Sequence, residues 1–216
     1  MTEDWIDRWE NGRTGWHEEG GNAGLRSHWP KDIELKRVLV PLCGKSPDML
    51  WLAQRGHEVV GVELAERAIR EFFADNGLEY RLETGAHLDR YSAIDLPITL
   101  FHGDYFEFSA SPFDALYDRG ALVALPESLR PRYVEHTNEL LRPDAVRLIV
   151  TLEYDQGVVQ GPPFSVLPAE IETYWGDLAR IDAIDDFDTC PPKFRSAGLK
   201  EIREVIWLSG RSSSAR

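Results

Sequence analysis

Arg37-Val38-Leu39-Val40-Pro41-Leu42-Cys43-Gly44-Lys45-Ser46 is the stretch that decides the fold. Its first five residues form a short run rich in β-branched side chains, and this predicts a buried strand. Ser46 and Pro47 then suit the N-cap and first position of a helix. Residues 48–54 continue that helix with apolar Met49, Leu50, Leu52 and Ala53, and Gly56 stops it. Glu58-Val59-Val60-Gly61-Val62-Glu63 predicts a second strand, and 65–76 a second helix with Ala68, Ile69, Phe72 and Phe73 at core spacing. Gly77 ends it. Strand, turn, helix, strand and helix in this order begin a mostly parallel α/β sheet.

The same rhythm extends outward. Strands are expected at 98–102, 113–117, 147–153, 179–187 and 201–208, and helices at 127–141 and 168–177. The fold class is therefore α/β, a Rossmann-like single domain over 1–216 with helices on both faces of the sheet. The last two strands follow one another without a clear helix, so they are expected as an antiparallel edge pair. Residues 5–30 carry Trp5, Trp9, Trp16 and Trp29, four of the seven tryptophans. Two readings stay open for 1–30: a helix packed on the core, or an aromatic lid over a ligand. The tail 209–216 is expected to fray.

Composition narrows the function classes. Hydrophobic residues make up 43% and charged residues 28%, a globular mix. No apolar run is long enough to span a bilayer. Glu3, Asp4 and Asp7 at the start do not fit a signal peptide. Two cysteines, Cys43 and Cys190, are too few for a disulfide framework or a zinc site, so a reducing, cytoplasmic setting and no metal are expected. The net charge of −13 weighs against nucleic acid and anionic membranes as partners.

Open α/β sheets take ligands at the carboxyl ends of their strands. The first strand ends in the Pro41-to-Ser46 turn, the second at Glu63. Glu63 lies 63 − 44 = 19 residues after Gly44, close to the ~20 of an acid that binds ribose hydroxyls in dinucleotide-type folds. Gly44-Lys45-Ser46 resembles the end of a phosphate loop, but that motif needs a glycine at position 39, which is Leu. The turn also lacks the three-glycine pyrophosphate fingerprint, which weakens an NAD reading and favours S-adenosylmethionine, a nucleoside without phosphate. Gly103-Asp104-Tyr105-Phe106 follows the third strand, where a carboxylate and an aromatic can bracket an adenine. Asp118-Arg119-Gly120 follows the fourth. Arg119 there can pair bidentately with a ligand carboxylate, or simply with Asp118 at the surface.

Four segments together resemble the thiopurine S-methyltransferase family of class I methyltransferases. They are Trp5-Ile6-Asp7-Arg8-Trp9 with Gly12 to His17; Val40-Pro41-Leu42-Cys43-Gly44-Lys45-Ser46 with Gly56 to Leu64; Asp118-Arg119-Gly120-Ala121-Leu122-Val123-Ala124-Leu125-Pro126; and Tyr154-Asp155 with Gly161-Pro162-Pro163-Phe164. They stand in family order over nearly the whole chain. The resemblance implies that Trp5 and Trp9 close over S-adenosylmethionine, Leu42 packs against it, Glu63 holds its ribose, and Asp104 with Tyr105 flank its adenine. It places Arg119 where cofactor and substrate meet and Trp16 against the substrate, with Asp7 a further catalytic candidate. The implied acceptor is a small aromatic or heterocyclic thiol, or a selenium or tellurium compound, and the product is S-adenosylhomocysteine. The enzyme is expected to act as a monomer. Heteroaromatic thiols ionise near neutrality, so no strong general base is required, and a dry aromatic pocket favours a reaction in which charge disappears. Cys43, in an apolar turn, is expected to be structural. An NAD-dependent oxidoreductase and a non-catalytic cofactor binder stand as alternatives.

Overall fold

The structure, a computed structural model, describes residues 2–13, 18–31 and 36–209. The chain divides into two compact units, Met1–Phe113 and Asp114–Arg216.

The first unit opens with helix α1 (Thr2–Glu10) and the short α2 (Ala23–His28), whose start is capped by the Asn22 side chain accepting from Leu25 N–H at 3.0 Å. Next come β1 (Arg37–Pro41), α3 (Asp48–Ala53), β2 (Glu58–Glu63), α4 (Glu66–Asp75), β3 (Tyr80–Glu83), β4 (Asp89–Ala93) and β5 (Ile98–His102). Its strands run in the order β3-β4-β5-β2-β1. β1 pairs parallel with β2 and β2 parallel with β5, so that Leu39 faces Val60 and Gly61 faces Leu100 in register. Continuous apolar runs form these strands because both of their faces are covered. α4 turns Ala68, Ile69, Phe72 and Phe73 inward, all of them buried. Each phenylalanine stabilises the unit by roughly 1.5–3 kcal/mol.

The second unit holds β6 (Phe113–Asp118), α5 (Arg130–Leu140), β7 (Leu141–Glu153), α6 (Pro168–Tyr174), β8 (Leu178–Asp185), α7 (Pro192–Ser196) and β9 (Arg203–Ser209). Its strand order is β6-β7-β9-β8. β9 pairs antiparallel with both β7 and β8.

The expected α/β alternation and the antiparallel final pair are both present. Four details differ. A polar antiparallel hairpin, β3 with β4, precedes β5. The last two strands are separated by α7, whose Phe194 is fully buried against Tyr154, Cys190, Leu199 and Ile202. α3 begins at Asp48 rather than at Pro47, yet Ser46 still does the capping, its Oγ accepting from Asp48 N–H at 3.3 Å. Ser209, read as the start of a frayed tail, is the buried last residue of β9, and its hydroxyl accepts from Arg147 N–H at 2.9 Å. Residues 210–216 lie outside the described residues.

Candidate functional site

Parallel pairing brings three strand ends of the first unit to one edge. Pro41 stands beside Val62, and Glu63 beside His102. The pairing runs on into the turns: Cys43 N–H donates to Val62 carbonyl at 3.1 Å and Gly103 N–H to Glu63 carbonyl at 3.0 Å. Leu42, Glu63 and the segment opening at Gly103 are thus gathered by backbone geometry alone.

The turn after β1 is tight. Leu42 has φ of +46° and Gly44 of +54°. A bulky residue in this left-handed region is strained, and such strain collects at ligand-binding turns. Gly44 is required twice over, because a Cβ there would also stand 3.2 Å from the Trp9 ring. Glu63 organises the turn from below. Its Oε2 accepts from Gly44 N–H and its Oε1 from Ala65 N–H, each at 2.8 Å. The side chain is buried, and burial pushes its carboxyl above the usual glutamate value of 4.5, with the Ala65 and Gly44 amides pulling back. A carboxylate has about four acceptor positions, and the Leu64 amide bears on this one as well, so about one remains for a ligand hydroxyl.

α1 covers this turn. Trp9 is buried on Ala65 and Ala68 with its ring edge against Gly44. Trp5 is half-buried, with the Arg8 guanidinium 5.2 Å from its ring centre. Beside them opens a pocket of about 520 Å³, walled by apolar Ile6, Trp9, Leu64 and Ala65 and by the charged Glu66, Arg67, Arg70 and Glu71 of α4. Its size falls within the range of small-molecule sites. A buried acid at the strand end and a turn without the glycines of a phosphate cradle suit the adenosine part of S-adenosylmethionine.

Other expected residues take different places. Asp7 is exposed, accepting from Asn11 Nδ2 at 2.7 Å and pairing with Arg13, which gives it a role at the helix end. Asp104 is exposed, and its Oδ1 accepts from Phe106 N–H at 2.9 Å, capping a 3-10 turn over Tyr105–Glu107. Tyr105 is buried. Trp16 lies outside the described residues. Cys43 is structural in character: burial and the nearby Glu63 charge push its thiol well above 9.0. Both cysteines are free and buried. Among the described residues there is no cluster suited to a metal, and no helix is long and apolar enough to cross a membrane.

The second unit contains the turn that bears Arg119, which is half-buried. Asp118, expected as a possible surface partner of Arg119, is not at the surface. That carboxylate is fully buried; Oδ2 accepts from Tyr133 hydroxyl at 2.7 Å and Oδ1 from Ala121 and Leu122 N–H at 3.0 and 3.3 Å. Burial raises its pKa above 3.8, and the Tyr133 hydrogen bond opposes the shift. The third and fourth sequence segments are joined directly, since Phe164 N–H donates to Val123 carbonyl at 2.6 Å. Arg130, which sequence reading missed, ties them further. Its guanidinium donates to Leu125 carbonyl at 3.0 Å, to Ser165 carbonyl at 3.2 Å and to Glu170 Oε1 at 2.6 Å. The only sequence signal was its place just after the third segment.

A family model described as thiopurine S-methyltransferase matches residues 1–212. A thiopurine S-methyltransferase of Bordetella petrii is 40% identical over 94% of this chain and 95% of its own length. One from Xanthomonas campestris is 40% identical over 95% of this chain and 97% of its own. Among solved structures, the Burkholderia thailandensis 1,6-didemethyltoxoflavin-N1-methyltransferase, with S-adenosylhomocysteine bound, is similar at a TM-score of 0.62 and 18% identity, covering 96% of this chain and 86% of that one. A TehB-like S-adenosylmethionine-dependent methyltransferase from Corynebacterium glutamicum matches at a TM-score of 0.55 and 16% identity, covering 97% and 98%. The latter two likenesses establish the Rossmann-like fold, and the sequence matches establish kinship: the chain belongs to the thiopurine S-methyltransferase family of S-adenosylmethionine-dependent methyltransferases.

Proposed function

We propose that this protein transfers a methyl group from S-adenosylmethionine to the sulfur of a small heteroaromatic thiol, acting as a cytoplasmic monomer. The observation that carries the reading is Glu63: a buried carboxylate at the end of β2, fixed in the turn after β1 by the Gly44 and Ala65 amides, whose remaining acceptor capacity can take a ligand hydroxyl. Glu63 accepts a ribose hydroxyl, while Leu42 and Trp9 exclude water from the cofactor, with Trp5, Asp104 and Tyr105 as outer contacts. When bound, S-adenosylmethionine supplies an electrophilic sulfonium methyl. Arg119 is assigned from its place in the Asp118-Arg119-Gly120 motif that resembles the family's. Its permanent charge and planar fork suit an ionised thiol or the cofactor carboxylate. Trp16 is assigned to the acceptor on the same resemblance. Asp7, already paired with Arg13, gains no support as a catalytic group from its surroundings. No base is needed for an acceptor that is already a thiolate, and a water-poor site favours loss of charge along the reaction.

The test is a product screen. Purified protein and S-adenosylmethionine are incubated with aromatic thiols, aliphatic thiols, selenite and tellurite, and S-adenosylhomocysteine and methylated products are measured by mass spectrometry. The expected result is S-methylation of the aromatic thiols above all others. Turnover with selenite or tellurite alone would overturn the thiol assignment. Cofactor binding without any product would make the chain a binder, and NAD binding in place of S-adenosylmethionine would return it to the oxidoreductases.

A further inference from the structure

Lys45 stands in the turn over Glu63, in the Gly44-Lys45-Ser46 segment that resembles a phosphate loop. Its ammonium points to protein instead. Nζ donates to Glu71 Oε2 and to Asp75 Oδ2, each at 2.9 Å, and the side chain is only 17% exposed. Glu71 carries a second cation on its other oxygen, Oε1 accepting from Arg67 Nε at 2.6 Å. Arg67 in turn reaches α1, its Nη1 donating to the Glu10 carbonyl at 2.7 Å. That carbonyl belongs to the last residue of α1, the negative end of its dipole, which a guanidinium complements. A polar chain therefore runs from the end of α1 through Arg67, Glu71 and Lys45 into the turn after β1. The neighbouring residues make a second link, because Trp9 lies against Gly44. Polar and apolar links join the same two segments and close a ring.

We infer that Glu71 is a positioning residue that couples α1 to the turn after β1, by holding Lys45 and Arg67 on its two carboxylate oxygens. This rests on reading that turn as the S-adenosylmethionine site. An isolated ion pair at a partly exposed position contributes little. Glu71 matters because it is shared: without its charge, Arg67 loses its carboxylate, Lys45 keeps only Asp75, and the link between the two cations is gone. The acidic neighbours raise the Lys45 pKa, and Lys45 holds the Glu71 carboxyl below the usual glutamate range.

Two readouts test the coupling on the full-length protein: hydrogen exchange of the α1 amides without cofactor, and calorimetric titration with S-adenosylhomocysteine. Lys45→Met is the informative variant, because the Lys45 bonds go to α4 while Glu71, Arg67 and the glycine against Trp9 are all kept, so it removes only the polar link to the turn. Lys45→Met and Glu71→Gln should each speed α1 exchange about threefold or more and weaken S-adenosylhomocysteine by a similar factor. The Lys45→Met/Arg67→Met double variant should lose no more than the worse single, the mark of one shared partner. Melting temperatures should stay near that of the parent. Unchanged α1 exchange in Lys45→Met, or losses in the double variant equal to the product of the singles, would overturn the inference. If the parent protein exchanges as expected but binds no S-adenosylhomocysteine, the cofactor reading fails while the coupling stands on the exchange data.

Discussion

Two strand-end turns in this chain are built by the same device and put it to different use. In the first unit a buried glutamate, Glu63, accepts backbone N–H bonds from Gly44 and Ala65. In the second a buried aspartate, Asp118, accepts from Ala121 and Leu122, and also from the Tyr133 hydroxyl. Burial raises the pKa of both carboxyls. The difference lies in what is left over. Asp118 is 0% exposed and is held by a side-chain donor as well as by amides, whereas Glu63 is 7% exposed and carries amide bonds only, and the residues that follow it, Leu64 and Ala65, line an open pocket. A carboxylate saturated by its own protein shapes a turn. One that keeps acceptor capacity to spare can shape a turn and also bind.

The largest effect should come from breaking the saturated site. Asp118→Ala leaves the Tyr133 hydroxyl and the Ala121 and Leu122 amides buried without an acceptor. It should cost about 3–4 kcal/mol of stability, read as a lower urea midpoint with an unchanged slope. A cost below about 1 kcal/mol would erase the contrast between the two turns.

This contrast also explains what the sequence could reveal. β1, α3, β2 and α4 were legible because their apolar residues fall in uninterrupted or helix-spaced runs, such as Val38-Leu39-Val40 and Phe72-Phe73. The β3–β4 hairpin was not, because its strands are short, polar and largely exposed, with only Tyr91 fully buried. α7 is five residues long and opens at proline, too short to register as a period. Glu63 was legible from its spacing to Gly44, since a strand and helix of ordinary length separate them. The role of Asp118 was not, because Tyr133, fifteen positions along, reaches it only through the fold. Lys45 and Arg130 were invisible for the same reason: their partners on α4, and on the Leu125 and Ser165 carbonyls, are set by tertiary contact.

The second prediction concerns Arg119, which follows the saturated carboxylate in sequence. If Asp118 fixes the turn and Arg119 serves the reaction, Arg119→Ala should lower kcat/KM toward an ionised aromatic thiol about 30-fold, near 2 kcal/mol. Its melting temperature should barely move, and Arg119→Lys should fall between. Loss of cofactor affinity with every acceptor would assign the guanidinium to the cofactor carboxylate instead. A large fall in ligand-free stability with activity intact would make it structural.

The smallest and most pointed effect is at Glu63. Burial places its folded-state pKa above 4.5. Its contribution to folding is therefore fully present below the ordinary glutamate range and is lost as pH rises through the raised value. Binding of a ribose hydroxyl has the opposite preference, for the ionised form. Cofactor affinity should accordingly begin to fall, on acidification, at a higher pH than an unperturbed glutamate would give. Glu63→Ala would also strip the Gly44 and Ala65 amides of their acceptor, so Glu63→Gln, which keeps one oxygen, is the cleaner variant.

Calorimetric titration of S-adenosylhomocysteine into the parent protein and Glu63→Gln, at neutral pH and in steps toward the glutamate range, tests the central claim most directly. One site should appear in the parent, weakened about tenfold in Glu63→Gln at neutral pH, with the two affinities converging on acidification and the variant nearly flat with pH. Equal affinities at neutral pH would contradict the assignment of Glu63 as the ligand-binding carboxylate.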